Sequence, residues 1–292
     1  MEEYEENQEQ LPKEEKEMSF LEHLEEFRWH IIRSLLSIFV FAIAAFIFRE
    51  PIWHYIVLAP SRPDFWTYNM FCELGRTVSQ MLSISENGDF FCIEELNFII
   101  QSRRMTAQFT MALVSSFVIG LIVAFPYAFW EFWRFIKPGL YQNEKQLSRG
   151  AVFFVTLLFL SGIMFGYFIV APISINFLTN FTLADSILNE IDLNSYVSLV
   201  MMLTLACGIM FQLPVVVYFL TKAGIITPEF LKTYRKHAIV VILVLSALIT
   251  PPDVISQILM CFPLMFLYEI SIVVASTIKR KEDRLALEED LD

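Results

Sequence analysis

Apolar stretches and polar loops alternate along this chain, and six of the stretches approach membrane scale: residues 31–48, 108–130, 151–173, 196–220, 238–250 and 254–278. A membrane-spanning helix needs roughly 20 predominantly apolar residues. The pattern therefore predicts an all-α integral membrane protein of six transmembrane helices. Pro126, Pro172, Pro214 and Pro263 fall inside or at the end of stretches, where a missing N–H and a steric clash bend a helix, so kinked rather than straight rods are expected. The fifth stretch has 13 residues before Pro251, about 20 Å of helix against a hydrocarbon core of about 30 Å. It must thin the bilayer or lean on neighbours, or else form a re-entrant hairpin with the last stretch. The last two helices are in either case short.

The loops alternate in basic residues. Arg134, Lys137, Lys145 and Arg149 follow the second stretch, whereas residues 174–195 hold no Lys or Arg. Lys222, Lys232, Arg235 and Lys236 follow the fourth, the 251–253 link has none, and Lys279, Arg280, Lys281 and Arg284 follow the last. By the positive-inside rule both termini are expected in the cytoplasm. The first loop, 49–107, carries five basic residues; it is long, the rule weakens with loop length, and it is placed outside.

Ahead of the first span, Ser19 followed by Glu22 fits a capping box, which starts a helix there. Phe20, Leu21, Leu24, Phe27 and Ile31 then recur at helical spacing, giving an amphipathic entry to the membrane.

Composition narrows the class further. The chain is 56% hydrophobic and 18% charged, has 29 Phe in 292 residues and a mean hydropathy of +0.54, which excludes an ordinary soluble domain. The net charge of −11 is concentrated at the ends, with eleven acids in residues 1–26 and six in 282–292. The chain thus divides into an acidic tail (1–18), a membrane domain (19–281) with an extended external loop (61–105), and a second acidic tail (282–292); such acidic flanks are ordinarily solvated. No basic n-region precedes the first apolar run, so no cleavable signal is expected.

Cys207 and Cys261 lie in apolar stretches and read as buried thiols, with no His or Cys at metal-ligand spacing. Cys72 and Cys92 share the external loop and are a candidate disulfide, closing about 20 residues for roughly 3 kcal/mol in the chain-entropy model. An intramembrane enzyme would need a catalytic constellation, and H-E-x-x-H, G-x-S-x-G, paired membrane aspartates and Cys/His clusters are all missing from the sequence. A small-molecule secondary transporter is the alternative: Gln212 and the prolines are compatible with it, but there is no internal repeat and little polarity at midplane. No cofactor, metal or nucleic acid is expected.

Three motifs carry a resemblance. The run Phe20-Leu-Glu-His-Leu-Glu-Glu-Phe-Arg28, the loop Phe135-Ile-Lys-Pro-Gly-Leu-Tyr-Gln-Asn-Glu-Lys145, and Thr250-Pro-Pro-Asp-Val-Ile-Ser-Gln257 with Leu267-Tyr-Glu269 resemble the TatC family, the multispanning receptor of the twin-arginine protein translocase. The similarity covers about Ser19 to Lys281 apart from much of the first loop.

The resemblance implies a bacterial inner-membrane protein that binds twin-arginine signal peptides at its cytoplasmic face. It would scaffold single-span TatA and TatB partners, assemble as a homo-oligomer within the translocase, and export folded proteins using the proton motive force. Glu26 and Glu144 align with the recognition glutamates, Arg28 with a motif arginine expected to orient Glu26 or another acid, and Phe135 with an aromatic near the binding surface. A carboxylate can accept both prongs of a guanidinium, a geometry an ammonium cannot reproduce. Thr250 and Gln257 align with a polar cluster for partner docking; read locally, they cap the outer turn and satisfy each other.

Within the membrane, Gln212 stands where many family members carry Glu, and reads as a cavity residue or as an anchor for a backbone carbonyl freed by Pro214. Glu269 is expected to be structural, paired with Lys279 or a neighbouring helix. Gly162 and Gly166 form a small-xxx-small pair suited to helix contact.

Overall fold

The computed structural model describes residues 20–81, 98–136, 148–181, 184, 190–250 and 254–289. The Ser19 capping box, the 1–18 tail, Cys92, Glu144 and the 251–253 link lie outside the described residues. Helix α1 (Phe20–Ile47) and the short α2 (Arg49–Ile52) lead through a π-helical turn (Trp53–Val57) and a 3-10 turn (Ala59–Ser61) to α3 (Trp66–Met81). Strand β1 (Ile99–Gln101) precedes α4 (Ala107–Ile136) and α5 (Ser148–Phe165); a second π-helical turn (Gly166–Val170) joins α5 to α6 (Ala171–Asn180). Strand β2 (Glu190–Asp192), α7 (Leu193–Met210), α8 (Leu213–Lys222), α9 (Pro228–Thr233), α10 (Arg235–Ile249) and α11 (Val254–Glu289) complete the chain.

Among the described residues, five helical segments are long and apolar enough to cross a membrane: Glu25–Ile47, Ala107–Ile136, Gly150–Asn180, Leu193–Lys222 and Ser256–Lys281. The fifth apolar stretch forms α10, whose 15 residues span only about 22 Å. It packs antiparallel in sequence order beside α11, which also holds α8 and α9.

Two features depart from the expected layout. Strands β1 and β2 pair in parallel, Ile99 with Glu190 through Gln101 with Asp192, joining the first external loop to the entry of α7. Helix α11 runs 36 residues, past Lys281 to Glu289, so of the last two helices only α10 is short and most of the expected acidic tail continues α11; its Leu, Ala, Glu, Lys and Arg are all strong helix formers.

The prolines act at identifiable points. Pro126 and Pro263 lie inside continuous helices. Pro172 opens α6 directly after the π-helical turn, and Pro214 occupies the first turn of α8. There its missing N–H would have no intrahelical acceptor in any case. The membrane segment 193–222 is thus broken at Phe211 and Gln212. At the end of α8, Gly224 (φ 71°) takes the left-handed conformation, with Ile225 N–H bonded to Leu220 C=O and Gly224 N–H to Thr221 C=O. This is a Schellman closure, followed by Thr227 capping α9 through Phe230 N–H at 3.3 Å.

The interior forms around α7. At its start, Leu193, Tyr196, Val197 and Val200 meet Val57, Met111 and Ile175; further on, Leu203 and Cys207 meet Val170, Met260 and Leu264. Close approach of α5 and α7 depends on glycine. A Cβ on Gly162 would sit 2.7 Å from Cys207 O, and one on Gly166 would sit 2.8 Å from Cys207 Cβ. The small-xxx-small pair therefore makes an internal helix contact.

Tyrosines tie the first loop to the bundle. Tyr167 donates to Ile56 C=O at 2.7 Å and Tyr196 to Val57 C=O at 3.0 Å, supplying donors to carbonyls in the π-helical turn. Tyr68 on α3 donates to Pro60 C=O at 2.7 Å, and burial pushes its phenol well above the ordinary range. Cys72, also on α3, is disulfide-bonded, while Cys207 and Cys261 are free and buried.

The α5–α7 contact is tested by Gly162→Val. Forcing a branched side chain against the backbone of Cys207 is expected to cost roughly 1–3 kcal/mol, read as a lowered thermal unfolding midpoint of the purified protein in detergent. An unchanged midpoint would show that the two helices separate without penalty.

Candidate functional site

Helix α1 packs chiefly along α4, and its remaining surface is apolar and exposed, including Ile32, Leu36, Phe39 and Ile43. The seam is tight because Gly120 faces α1: a Cβ there would lie 2.5 Å from Ala42 N. Toward the start of α1, two stripes of residues meet. On α1, Phe27, His30 and Ser34 recur at spacings of three and four; on α4, Tyr127, Glu131 and Phe135 recur at four. Such spacings place side chains on one helix face. The rings of Phe27 and Phe135 lie 4.8 Å apart, and Phe135 also lies 6.2 Å from the His30 ring.

Beneath these rings, His30 Nδ1 lies 2.5 Å from Glu131 Oε2, and Tyr127 Oη donates to Glu131 Oε1 at 2.9 Å. His30 is 6% exposed and Glu131 1%. Glu131 closes an apolar run whose predicted end, Trp130, stopped one residue short, so sequence reasoning did not single it out. The available signal was an acid one helical turn before Phe135, at a depth where ionisable groups require partners.

Glu26 is half-buried and lies one residue before Phe27, at the same end of the seam as Phe135. The structure thus brings Glu26 and Phe135 to one end of a two-helix surface. The expected pairing of Arg28 with an acid is not formed among the described residues: Arg28 is exposed, and its guanidinium lies 5.8 Å from the centroid of the Trp29 ring. The surface joins an apolar aromatic patch to a carboxylate, and a peptide with guanidinium and apolar parts matches that chemistry.

A family model for the Sec-independent protein translocase protein (TatC) matches residues 22–263. The chain belongs to the TatC family. The Sec-independent protein translocase protein TatC of Blattabacterium sp. subsp. Periplaneta americana is 39% identical over 272 residues, covering 93% of this chain and all of the relative. TatCy of Bacillus subtilis is 31% identical, with 92% of each chain covered. Among solved structures, a crystal structure of the twin-arginine translocase receptor TatC in DDM is similar at a TM-score of 0.66 and 31% identity, covering 87% of this chain and 99% of that one. Together with its apolar helices, the family makes this chain a multi-pass membrane protein of protein transport.

The other TatC motif residues occupy separate places. Gln212 lies at the break between α7 and α8, and its Nε2 donates to Val155 C=O on α5 at 3.3 Å. The carbonyl it holds is therefore on a neighbouring helix rather than the one freed by Pro214. A side-chain donor crossing between helices avoids an unsatisfied amide within the membrane.

Of the two partners expected for Glu269, the structure forms the one on a neighbouring helix: Arg235 at the start of α10, at 2.7 Å, and not Lys279. Lys279 meets Glu229 at 2.9 Å, and that contact holds the exposed Glu229 carboxyl below the usual carboxylate range. Thr250 and Gln257 do not bond each other among the described residues. Thr250 Oγ1 caps α10 through Ser246 C=O at 2.8 Å, while Gln257 Nε2 reaches Leu243 C=O at 3.3 Å from α11. Both therefore bond the backbone of α10. Thr250 also borders an apolar cavity of about 510 Å³ with Ile175, Thr179, Ser195 and Leu248.

Replacing Gln212 with Leu keeps the volume and removes the donor to Val155. The expected cost is about 0.5–1.5 kcal/mol, measured as a drop in the unfolding midpoint in detergent; a midpoint equal to wild type would remove Gln212 from the α5–α7/α8 interface.

Proposed function

We propose that this protein is the receptor subunit of a twin-arginine translocase, binding Arg-Arg signal peptides at its cytoplasmic face through Glu26 and Glu144, with Arg28 and Phe135 contributing to the same surface. The observation that carries the reading is the convergence of half-buried Glu26 with the Phe27–Phe135 ring contact at one end of the α1–α4 seam. Glu144 lies outside the described residues, nine positions beyond Phe135 in the loop that follows α4. The carboxylates would take the planar donors of the two guanidiniums, and the peptide's apolar part would follow the aromatic patch.

Six membrane crossings, with α10 as the short fifth, put both termini in the cytoplasm and the external loop outside, in accord with the distribution of Lys and Arg. The inner membrane of a bacterium is the site of action. Single-span TatA and TatB subunits would dock around Thr250 and Gln257, where interhelical hydrogen bonds contribute about 0.6–2 kcal/mol each. Copies of the chain would assemble within the same translocase. The work is binding and scaffolding without covalent chemistry or cofactor, and the proton motive force supplies the energy.

Labelled Arg-Arg and Lys-Lys signal peptides, titrated onto the purified full-length protein in detergent, test this reading. Wild type is expected to prefer Arg-Arg, and Glu26→Ala or Glu144→Ala to weaken that peptide by about tenfold, or 1.4 kcal/mol. Equal binding of both peptides, with no effect of either substitution, would refute the carboxylate mechanism.

A further inference from the structure

Burying a carboxylate is costly unless its oxygens find donors. Glu131 finds two, one on each oxygen: Tyr127 on its own helix and His30 across the seam. Among the described residues, the guanidinium of Arg33, also on α1, acts on this carboxyl as well. The polar contact therefore couples α4 to α1, one helical turn below the Phe27–Phe135 ring contact.

The placement matters because α1 rests chiefly on α4. Among the described residues, no large interface on its other faces holds the orientation of its first turns, where Ile32, Leu35, Leu36 and Phe39 are exposed. Gly120 against Ala42 sets the approach of the two helices farther along, and permits close packing without specifying rotation. A hydrogen-bonded pair is directional and does specify it. His30 stands four residues after Glu26, and Glu131 four before Phe135. Rotation or sliding of α1 at this pair would displace Glu26 relative to Phe135.

We propose that His30, Glu131 and Tyr127 form a positioning site that fixes the rotation of α1 on α4, and thereby sets the preference of the peptide-binding surface for arginine over lysine. The proposal rests on the receptor reading above. None of the three need touch the peptide. A bidentate guanidinium–carboxylate contact tolerates little angular error, whereas an ammonium is a point charge that follows a displaced carboxylate. Loss of the pair should therefore reduce Arg-Arg binding far more than Lys-Lys binding, a difference that general destabilisation does not produce.

The test measures affinities for Arg-Arg and Lys-Lys versions of one labelled signal peptide, using the full-length protein in lipid nanodiscs. The proteins are wild type, His30→Ala, Glu131→Ala, the double variant and Glu131→Gln, which keeps an acceptor for Tyr127. The expected result is a preference for Arg-Arg that falls roughly fivefold or more in each alanine variant. The double variant should be no worse than the singles, and Glu131→Gln should lie between wild type and Glu131→Ala. If the alanine variants fail to fold, Glu131→Gln and His30→Asn carry the same comparison.

Wild-type discrimination that persists unchanged in the variants overturns the positioning role and leaves the receptor reading intact. A parallel loss of both peptides, tracking a lowered unfolding midpoint, also overturns it and makes the pair a fold element alone. Absence of any preference in wild type overturns the receptor reading and the positioning role together.

Discussion

Hydrocarbon offers no hydrogen bonds, so every backbone amide at membrane depth must be satisfied within the protein. That constraint accounts for the long helices and for what happens where a helix is interrupted. The break at Phe211 and Gln212 is closed by local bonds, with Val215 and Val216 N–H both reaching Gln212 C=O, while the Gln212 side chain crosses to Val155. The π-helical turn at Trp53–Val57 is met by Tyr167 and Tyr196, which donate to its carbonyls from the bundle. Irregular backbone persists here because tertiary neighbours supply donors.

The same lack of competition from water makes shape the main packing force between helices. Small residues mark where backbones must approach, Gly162 and Gly166 for α5 on α7 and Gly120 for α4 on α1. Helix α7 benefits most, being lined on several sides by buried side chains, whereas α1 and α10 expose most of their apolar surface. The helix that carries Glu26 and the helix that ends at Thr250, residues proposed above for the peptide and partner surfaces, are thus the less enclosed ones. Their polar contacts, His30 with Glu131 and Arg235 with Glu269, give them directional attachment that apolar packing lacks.

The side-chain pairs differ with depth. Arg235–Glu269 and Lys279–Glu229 are about half exposed, and pairs of that kind contribute little to stability. His30–Glu131 is shielded almost completely, so leaving either partner alone would strand a polar group away from water. A contact of this kind constrains where helices sit more than it strengthens the fold.

Much of this was legible in the chain. Apolar run length announced the helices, although α1, α4, α10 and α11 came out longer than their apolar runs because flanking polar residues continue a helix, and the third and fourth runs are interrupted at the π-helical turn and at Phe211 and Gln212. The family was legible from the 20–28, 135–145 and 250–257 motifs taken together. Glu26 and Phe135 could be named for the same reason; that they meet at one end of a seam could not, since more than a hundred residues separate them. Glu131 was obscured by its position at the edge of a run, and of the two partners open to Glu269, Lys279 or a neighbouring helix, only the packing of α10 on α11 selected the second, as Arg235. The sequence by itself determined which segments must be helical, because periodicity and hydropathy are local properties of the chain. Only the tertiary structure decided which polar side chains share a partner, because side-chain pairing depends on the rotation and depth of packed helices, and neither is encoded within a single segment.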